Sequence, residues 1–405
     1  MIALSSVLRS RSFWDQILVA GLSVYALGLF LPGITALQNL GLYSALLVSM
    51  MGGRWRACLA GLGHPLLLLT LGLVAWFALS TAWSVDPATT FRSVTSVFKD
   101  YFLIIPPMLY LLSIPEYRRL FARALALAGL VIVVLNGAQY VEELARDPAL
   151  LANIKLHRGW GHPLMYFLPF ALMQTRTTRG REAKLWFVLF AIEAAMIIAT
   201  GARGAWLALF ALLVLWGWHD YDRRHLARLA VATVLLALVA YFALPASIVR
   251  DRIAKGMDTS LRTSGTWGPA LDMLRDRPGL GYGFGKEIFN REFNERAPAK
   301  AEWTIKKSIG PHSIFLEAGF SGGYPALLAI AALFLAAVGY GQRAVAGAGN
   351  NEDRMFALAA TSSFVAFYLV RGSFESVRWG PLIILVLAIV YFSVATRNQR
   401  LPPPT

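Results

Sequence analysis

The chain holds a single cysteine, Cys58, in 405 residues. One thiol excludes an internal disulfide framework and any cysteine-based metal cluster. Charge is scarce too, at 15% of residues against about 25% in an ordinary soluble domain. The length would allow about two or three soluble domains, but so few charges cannot cover their surfaces. Carboxylates are the scarcer sign, 23 against 38 Lys and Arg. Histidines number six, no His-Glu-x-x-His occurs, and His157 and His162 stand five apart, off one helical face. Neither a protein-bound metal nor a cofactor is expected.

Apolar residues dominate instead, at 57% of the chain with a mean hydropathy of +0.55. A spanning helix needs about 20 mainly apolar residues. Twelve segments qualify as candidates: 13–32, 36–52, 65–83, 99–114, 121–141, 162–175, 185–201, 204–219, 228–247, 321–340, 355–371 and 377–396. Pro106 and Pro107 fall in the fourth, and Pro163 and Pro169 in the sixth. Proline frees backbone groups, so such helices are kinked and re-satisfied inside a bundle. The expected fold is an all-α polytopic membrane protein of about twelve transmembrane helices. Residues 1–405 read as one transmembrane domain, with a large loop at 248–311 between spans nine and ten. That loop, rich in Arg, Gly and Trp, is expected to fold into a helical cap over the bundle.

The net charge of +15 reads as a topology signal. With the N-terminus inside, the inner connections hold eighteen Lys and Arg and the short outer ones eight. The other twelve lie in the 248–311 loop, which is too long to count toward sidedness. Both termini are then cytoplasmic. Inside, eighteen basic residues face seven acidic ones; outside, twenty face sixteen. Most of the excess is on the inner side, so no nucleic-acid partner is needed to explain it.

Function in a membrane protein gathers where ionisable residues meet the bundle, which here is the outer face. Pro311-His312-Ser313 opens a helical run, placing His312 at a helix N-terminus. The positive end of the dipole favours a neutral ring that can take up a proton; the plainer reading is a capping histidine. Arg203 lies in Gly201-Ala202-Arg203-Gly204, Arg371 ends a span, and Arg262 lies in the large loop. Guanidinium groups suit phosphate oxygens, although an arginine at a span end also snorkels to headgroups. Pro278-Gly279-Leu280-Gly281-Tyr282-Gly283-Phe284-Gly285 is not a nucleotide fingerprint, since no strand precedes it. It reads as a tight turn packing the loop on the bundle, with backbone amides available to an anion. Asp220-Tyr221-Asp222 is a DxD of the kind that holds metal-bound nucleotide sugars, and it reads more simply as a solvated inner connection.

These motifs, in this order, resemble the O-antigen ligase and O-antigen polymerase family of bacterial inner-membrane glycosyltransferases. The resemblance rests on Trp83-Ser84-Val85-Asp86-Pro87, on Gly201-Ala202-Arg203-Gly204-Ala205-Trp206, on Arg262 with Trp267, and on the Pro278–Gly283 turn. It continues through His312-Ser313, Leu316-Glu317 and Gly322-Gly323, departing at Ser313, where many members carry Asn. It implies a GT-C-like bundle in the inner membrane with an active site facing the periplasm. The implied reaction moves a glycan from an undecaprenyl pyrophosphate donor to a hydroxyl of a lipid A–core acceptor. His312 would serve as general base. Arg203 and Arg262, with Arg371 and Arg158, would meet the diphosphate in place of a metal. No carboxylate pair stands out for a covalent intermediate, so inversion by single displacement is expected. The runner-up within the family is the polymerase, which joins lipid-linked repeat units. A secondary transporter is the remote alternative; it predicts an inverted repeat and mid-span charges, whereas no repeat occurs and Glu193 is the clear mid-span acid.

Overall fold

A computed structural model describes residues 13–31, 33–148, 158–220 and 260–400. Among these, the regular elements are helices and helical turns, with no strand. In chain order they are α1 (Phe13–Gly28), α2 (Thr35–Met50), α3 (Pro65–Leu79), α4 (Pro87–Ser113), α5 (Pro115–Arg146), α6 (Arg158–Thr177), α7 (Gly180–Ala199) and α8 (Arg203–Asp220). Then come α9 (Trp267–Asp276), α10 (Lys286–Arg296), α11 (Ile314–Ala346), α12 (Asn351–Ser363) and α13 (Leu382–Arg400). Among the described residues, five runs are long and apolar enough to cross a membrane: Pro65–Ala82, Pro87–Ser113, Pro115–Arg146, Ile314–Ala346 and Asn351–Phe374. The chain is therefore a multi-pass helical membrane protein. Helices also occupy the expected segments at 13–32, 36–52, 162–175, 185–201, 204–219 and 377–396; the one at 228–247 lies outside the described residues, as do 248–259 of the large loop.

Prolines begin several helices, where the missing N–H costs nothing. Pro87 follows Asp86, whose carboxylate accepts from Thr89 N at 3.0 Å, and Pro65 follows His64, whose Nδ1 accepts from Leu66 N at 3.2 Å. The first of these starts moves the fourth expected segment: α4 begins at Pro87 rather than 99, because a capped, more polar stretch of about three turns extends the helix beyond its apolar part. Two helices run through the centre. Residues 381–390 and 355–368 are buried on every side, as expected for helices that are apolar all round. Around them, α6 packs on α5, α7 and α12, while α11 packs on α3, α12 and α13.

The two ends of the bundle differ. At one, arginines of neighbouring connections are tied to carboxylates: Arg118 to Asp353 at 2.6 Å, Arg119 to Glu352, Arg123 to Glu182 at 3.0 Å and Arg176 to Asp220 at 2.6 Å. Asp220 of the DxD is thus held in an ion pair, and Tyr221 and Asp222 lie outside the described residues. At the other end, α9 and α10 form a small layer with its own core of Met273, Tyr282, Phe289, Phe293 and Trp303, closed by Phe320 of α11.

That layer is joined to the bundle at a break in α11. Gly322 (φ −134°) and Gly323 (φ 71°) leave helical geometry there, and Pro325 follows. Proline has no N–H for the carbonyl of Ser321, and Tyr324 N donates to Pro278 O at 2.7 Å instead of to Phe320 O. The two carbonyls so released accept from Tyr282 N at 2.9 Å and Gly283 N at 3.0 Å. The glycine-rich turn is therefore a backbone clasp. The expectation that its amides face an anion is overturned for Tyr282 and Gly283, whose N–H groups are spent on α11. Trp83 and Ser84 complete the clasp, donating to Leu280 O at 2.7 Å and Tyr282 O at 3.0 Å. A Cβ at Gly283 (φ 103°) would lie 2.2 Å from Ser84 Oγ, so only glycine fits.

Candidate active site

His312 is the one non-glycine residue with positive φ (49°) among the described residues. Such a conformation is uncommon outside glycine and is retained where surroundings impose it. Here its carbonyl accepts from Trp267 Nε1 at 3.3 Å, while Ser313 caps α11, its Oγ 3.5 Å from Leu316 N. Asparagine caps helices as well as serine does, so the departure at Ser313 keeps the cap. The imidazole leans the other way: its Nδ1 lies 3.2 Å from Glu375 Oε2.

Glu375 follows a widened helical stretch, Phe364–Arg371, and the short turn Gly372–Phe374. Such π segments are frequent at functional sites. Burial opposes ionisation of its carboxyl. The hydrogen bond from His312 and the charges of His312, Arg371 and His162 outweigh that and hold it below the usual carboxylate range.

Arg371 is 1% exposed, and neither Nη1 nor Nη2 has a hydrogen-bond partner. A buried cation without hydrogen bonds is costly, and an anion from outside is the simplest group to offset it. Its guanidinium lies over the Phe367 ring at 5.2 Å and lines a chamber of about 410 Å³ together with His162, Lys286, Arg378 and Glu317. Gly310 and Pro311, immediately before His312, also line this chamber.

Arg262 lies beside the stacked rings of Trp267 and Phe374, 5.1 and 5.0 Å from their centroids, with Nη1 buried and unpartnered. Burial pushes its guanidinium below the usual range; Glu375 opposes that shift and the charge of Arg203 adds to it. Arg203 itself is exposed at the start of α8, after the turn at Gly201 (φ 62°). At Gly204 the start of α8 packs on the Phe374–Glu375 segment, where a Cβ would meet Phe374 Cβ in ordinary contact at 3.5 Å. The fold thus gathers His312, Arg203, Arg262 and Arg371 around Glu375. Arg158 begins α6 next to Gly159, which lines the chamber, and its side chain lies outside the described set.

Sequence reasoning passed over Glu375, Lys286 and the chamber position of Arg378. Glu375 had a usable signal, an acid four residues past a span-end arginine at a place where ionisable groups are expensive. Lys286 had none, since it sits among other charges of the large loop.

With the geometry in place, likeness to known proteins has a definite location. Residues 186–331 match the O-antigen ligase family model, a stretch that takes in Arg203, Arg262 and His312 and stops before Arg371 and Glu375. The O-antigen ligase of Salmonella typhimurium is 31% identical over 253 residues, covering 60% of this chain and 60% of that protein. The chain thus matches somewhat less than two thirds of its relative's length. The resemblance carried by the motifs is borne out.

Proposed function

We propose that the chain is an O-antigen ligase, transferring a glycan from undecaprenyl pyrophosphate to a sugar hydroxyl of a lipid A–core acceptor. The observation that carries this reading is the meeting of a histidine–carboxylate pair with arginines that lack partners of their own. Arg203, Arg262 and Arg371 receive the donor diphosphate; their forks of donors stabilise the charge that grows on it as the sugar departs. Glu375 fixes the His312 ring through Nδ1 and leaves Nε2 for the acceptor hydroxyl. That nitrogen takes the hydroxyl proton, the oxygen bonds to the anomeric carbon, and the bond from that carbon to the diphosphate oxygen breaks. Attack opposite the leaving group inverts the anomeric centre. The lipid diphosphate leaves as the second product.

The arginine-supplied charge makes the reaction independent of a divalent metal. In the cell the bundle of about twelve spans sits in the inner membrane with both termini cytoplasmic. The tied arginines mark the inner end and the His312 end faces the periplasm, as the distribution of basic connections supports.

The test is transfer by purified protein given a lipid-linked glycan and lipid A–core. A ligase forms the joined product, whereas a polymerase lengthens the lipid-linked glycan and a transporter forms neither. His312→Ala and Arg203→Ala abolish the product while membrane insertion persists, and Arg203→Lys restores only part because it loses the fork. Wild-type transfer by either alanine variant, or a retained anomeric configuration, overturns the assignment.

A further inference from the structure

A second chamber, of about 390 Å³, adjoins the first across a shared wall of Gly285, Lys286, Glu317, Val377 and Arg378. Its volume is within the roughly 300–1,000 Å³ usual for small-molecule sites. The far wall comes from α4 and the start of α2, bringing Asp100, Ser93 and Gln38, with Glu287 at the rim.

The polar groups of this chamber differ in kind from those around Arg371. Asp100 is 7% exposed; its Oδ2 accepts from the Tyr25 hydroxyl at 3.3 Å, while its Oδ1 is buried and has no partner. Gln38 is half-buried; its backbone N–H donates to Ile34 O at 2.9 Å, while its side-chain amide has no hydrogen bond among the described residues. On the shared wall, Glu317 is already fixed by Trp379 Nε1 at 2.9 Å. An unpartnered carboxylate oxygen needs a donor. Its carboxylates Asp100, Glu287 and Glu317 outnumber the cations Lys286 and Arg378 of the shared wall, so a second anion is less suited here than beside Arg371. A carboxylate, an amide and a serine hydroxyl together suit a ligand rich in neutral hydroxyl groups.

We propose that this chamber is a saccharide subsite, holding an uncharged sugar ring whose hydroxyls donate to Asp100 Oδ1 and exchange hydrogen bonds with Gln38 and Ser93. The proposal rests on the glycosyl-transfer reading and adds where a sugar sits relative to the diphosphate. Two sugars have this chemistry: the acceptor residue of the core and the first residue of the donor glycan.

The experiment measures equilibrium binding of two soluble probes to the full-length protein in detergent, core oligosaccharide freed of lipid A and O-glycan released from its carrier. Asp100→Asn and Gln38→Ala are compared with wild type, and thermal unfolding of each variant is recorded. One probe is expected to bind about ten-fold more weakly to Asp100→Asn, whose Oδ1 still accepts but as a neutral rather than a charged acceptor. The probe that weakens identifies the sugar. Gln38→Ala reports on the same chamber without disturbing the Tyr25 bond, should Asp100→Asn unfold. Undiminished binding of both probes to folded variants overturns the subsite. Binding does not require turnover, so a wild-type protein that binds these probes but transfers nothing overturns the ligase reading and leaves the subsite standing.

Discussion

Nδ1 of His312 lies 3.2 Å from Oε2 of Glu375, joining residues 63 positions apart. The pair forms where the widened turn after α12 meets the cap of α11, so neither helix alone contains it. One ring nitrogen is engaged by the carboxylate, and the other is left to act on a substrate.

Replacing Glu375 by Gln keeps the shape and removes the charge. Transfer by Glu375→Gln is expected to fall by about 100-fold or more in kcat, the scale of general acid–base assistance. The donor KM should change little, because the arginines that meet the diphosphate remain. Initial rates at saturating donor check this; a variant with unchanged kcat shows that the carboxylate does not orient the base.

The same carboxyl sets a pH dependence of stability. Burial opposes its ionisation, and His312, Arg371 and His162 more than compensate, so its pKa in the folded protein is depressed. A depressed carboxylate stabilises the fold above its unfolded pKa of about 4.3 and loses that contribution as pH falls through the lower folded value. The melting-temperature gap between wild type and Glu375→Gln is therefore expected to hold above about pH 5 and to shrink on further acidification. A gap that widens in acid contradicts the sign.

Arg371 separates stability from activity. Its two terminal nitrogens are buried without partners, so the empty fold bears the cost of desolvating a cation. Exchanging a buried charge for an apolar side chain of similar length is often neutral or stabilising. Arg371→Met is expected to melt no lower than wild type and to transfer glycan at least about 100-fold more slowly. Thermal unfolding and rates on one preparation decide it, and a variant that is both less stable and fully active refutes the role.

The clasp predicts a purely structural loss. In Gly283→Ala a Cβ would lie 2.2 Å from Ser84 Oγ and 2.5 Å from Thr90 Oγ1, at a φ of 103°. Strain of about 1–3 kcal/mol or more is expected, seen as a lower melting temperature and faster proteolysis within 260–310. An unchanged proteolysis pattern argues that the layer stays docked without the turn.

Much of the architecture was legible from composition and hydropathy. A helix spanning lipid must satisfy its own backbone and present apolar side chains along its whole length, so spans announce themselves locally. The alternation of basic connections was legible for the same reason, since each is a local count. Motif spacing also singled out His312, Arg203, Arg262 and Arg371 as candidates. The partner of His312 escaped notice because Glu375 matches no motif, and its meaning depends on a bond across two helices. The glycine turn was legible as a turn packing the loop on the bundle, while the partners of its amides were not. Glycines at alternating positions suit an anion-binding loop and a backbone clasp equally well, and the break at Gly322-Gly323 tips the choice by releasing two carbonyls.

By itself, then, the sequence determined what is local: one cysteine and so no disulfide, too little charge for a soluble surface, apolar helices in series, and arginines at their ends. Only the tertiary structure decided which of those arginines are buried without partners, that Glu375 holds His312, and that two chambers share a wall. Burial, pairing and enclosure are relations between residues distant in sequence, and they exist only once the helices have packed.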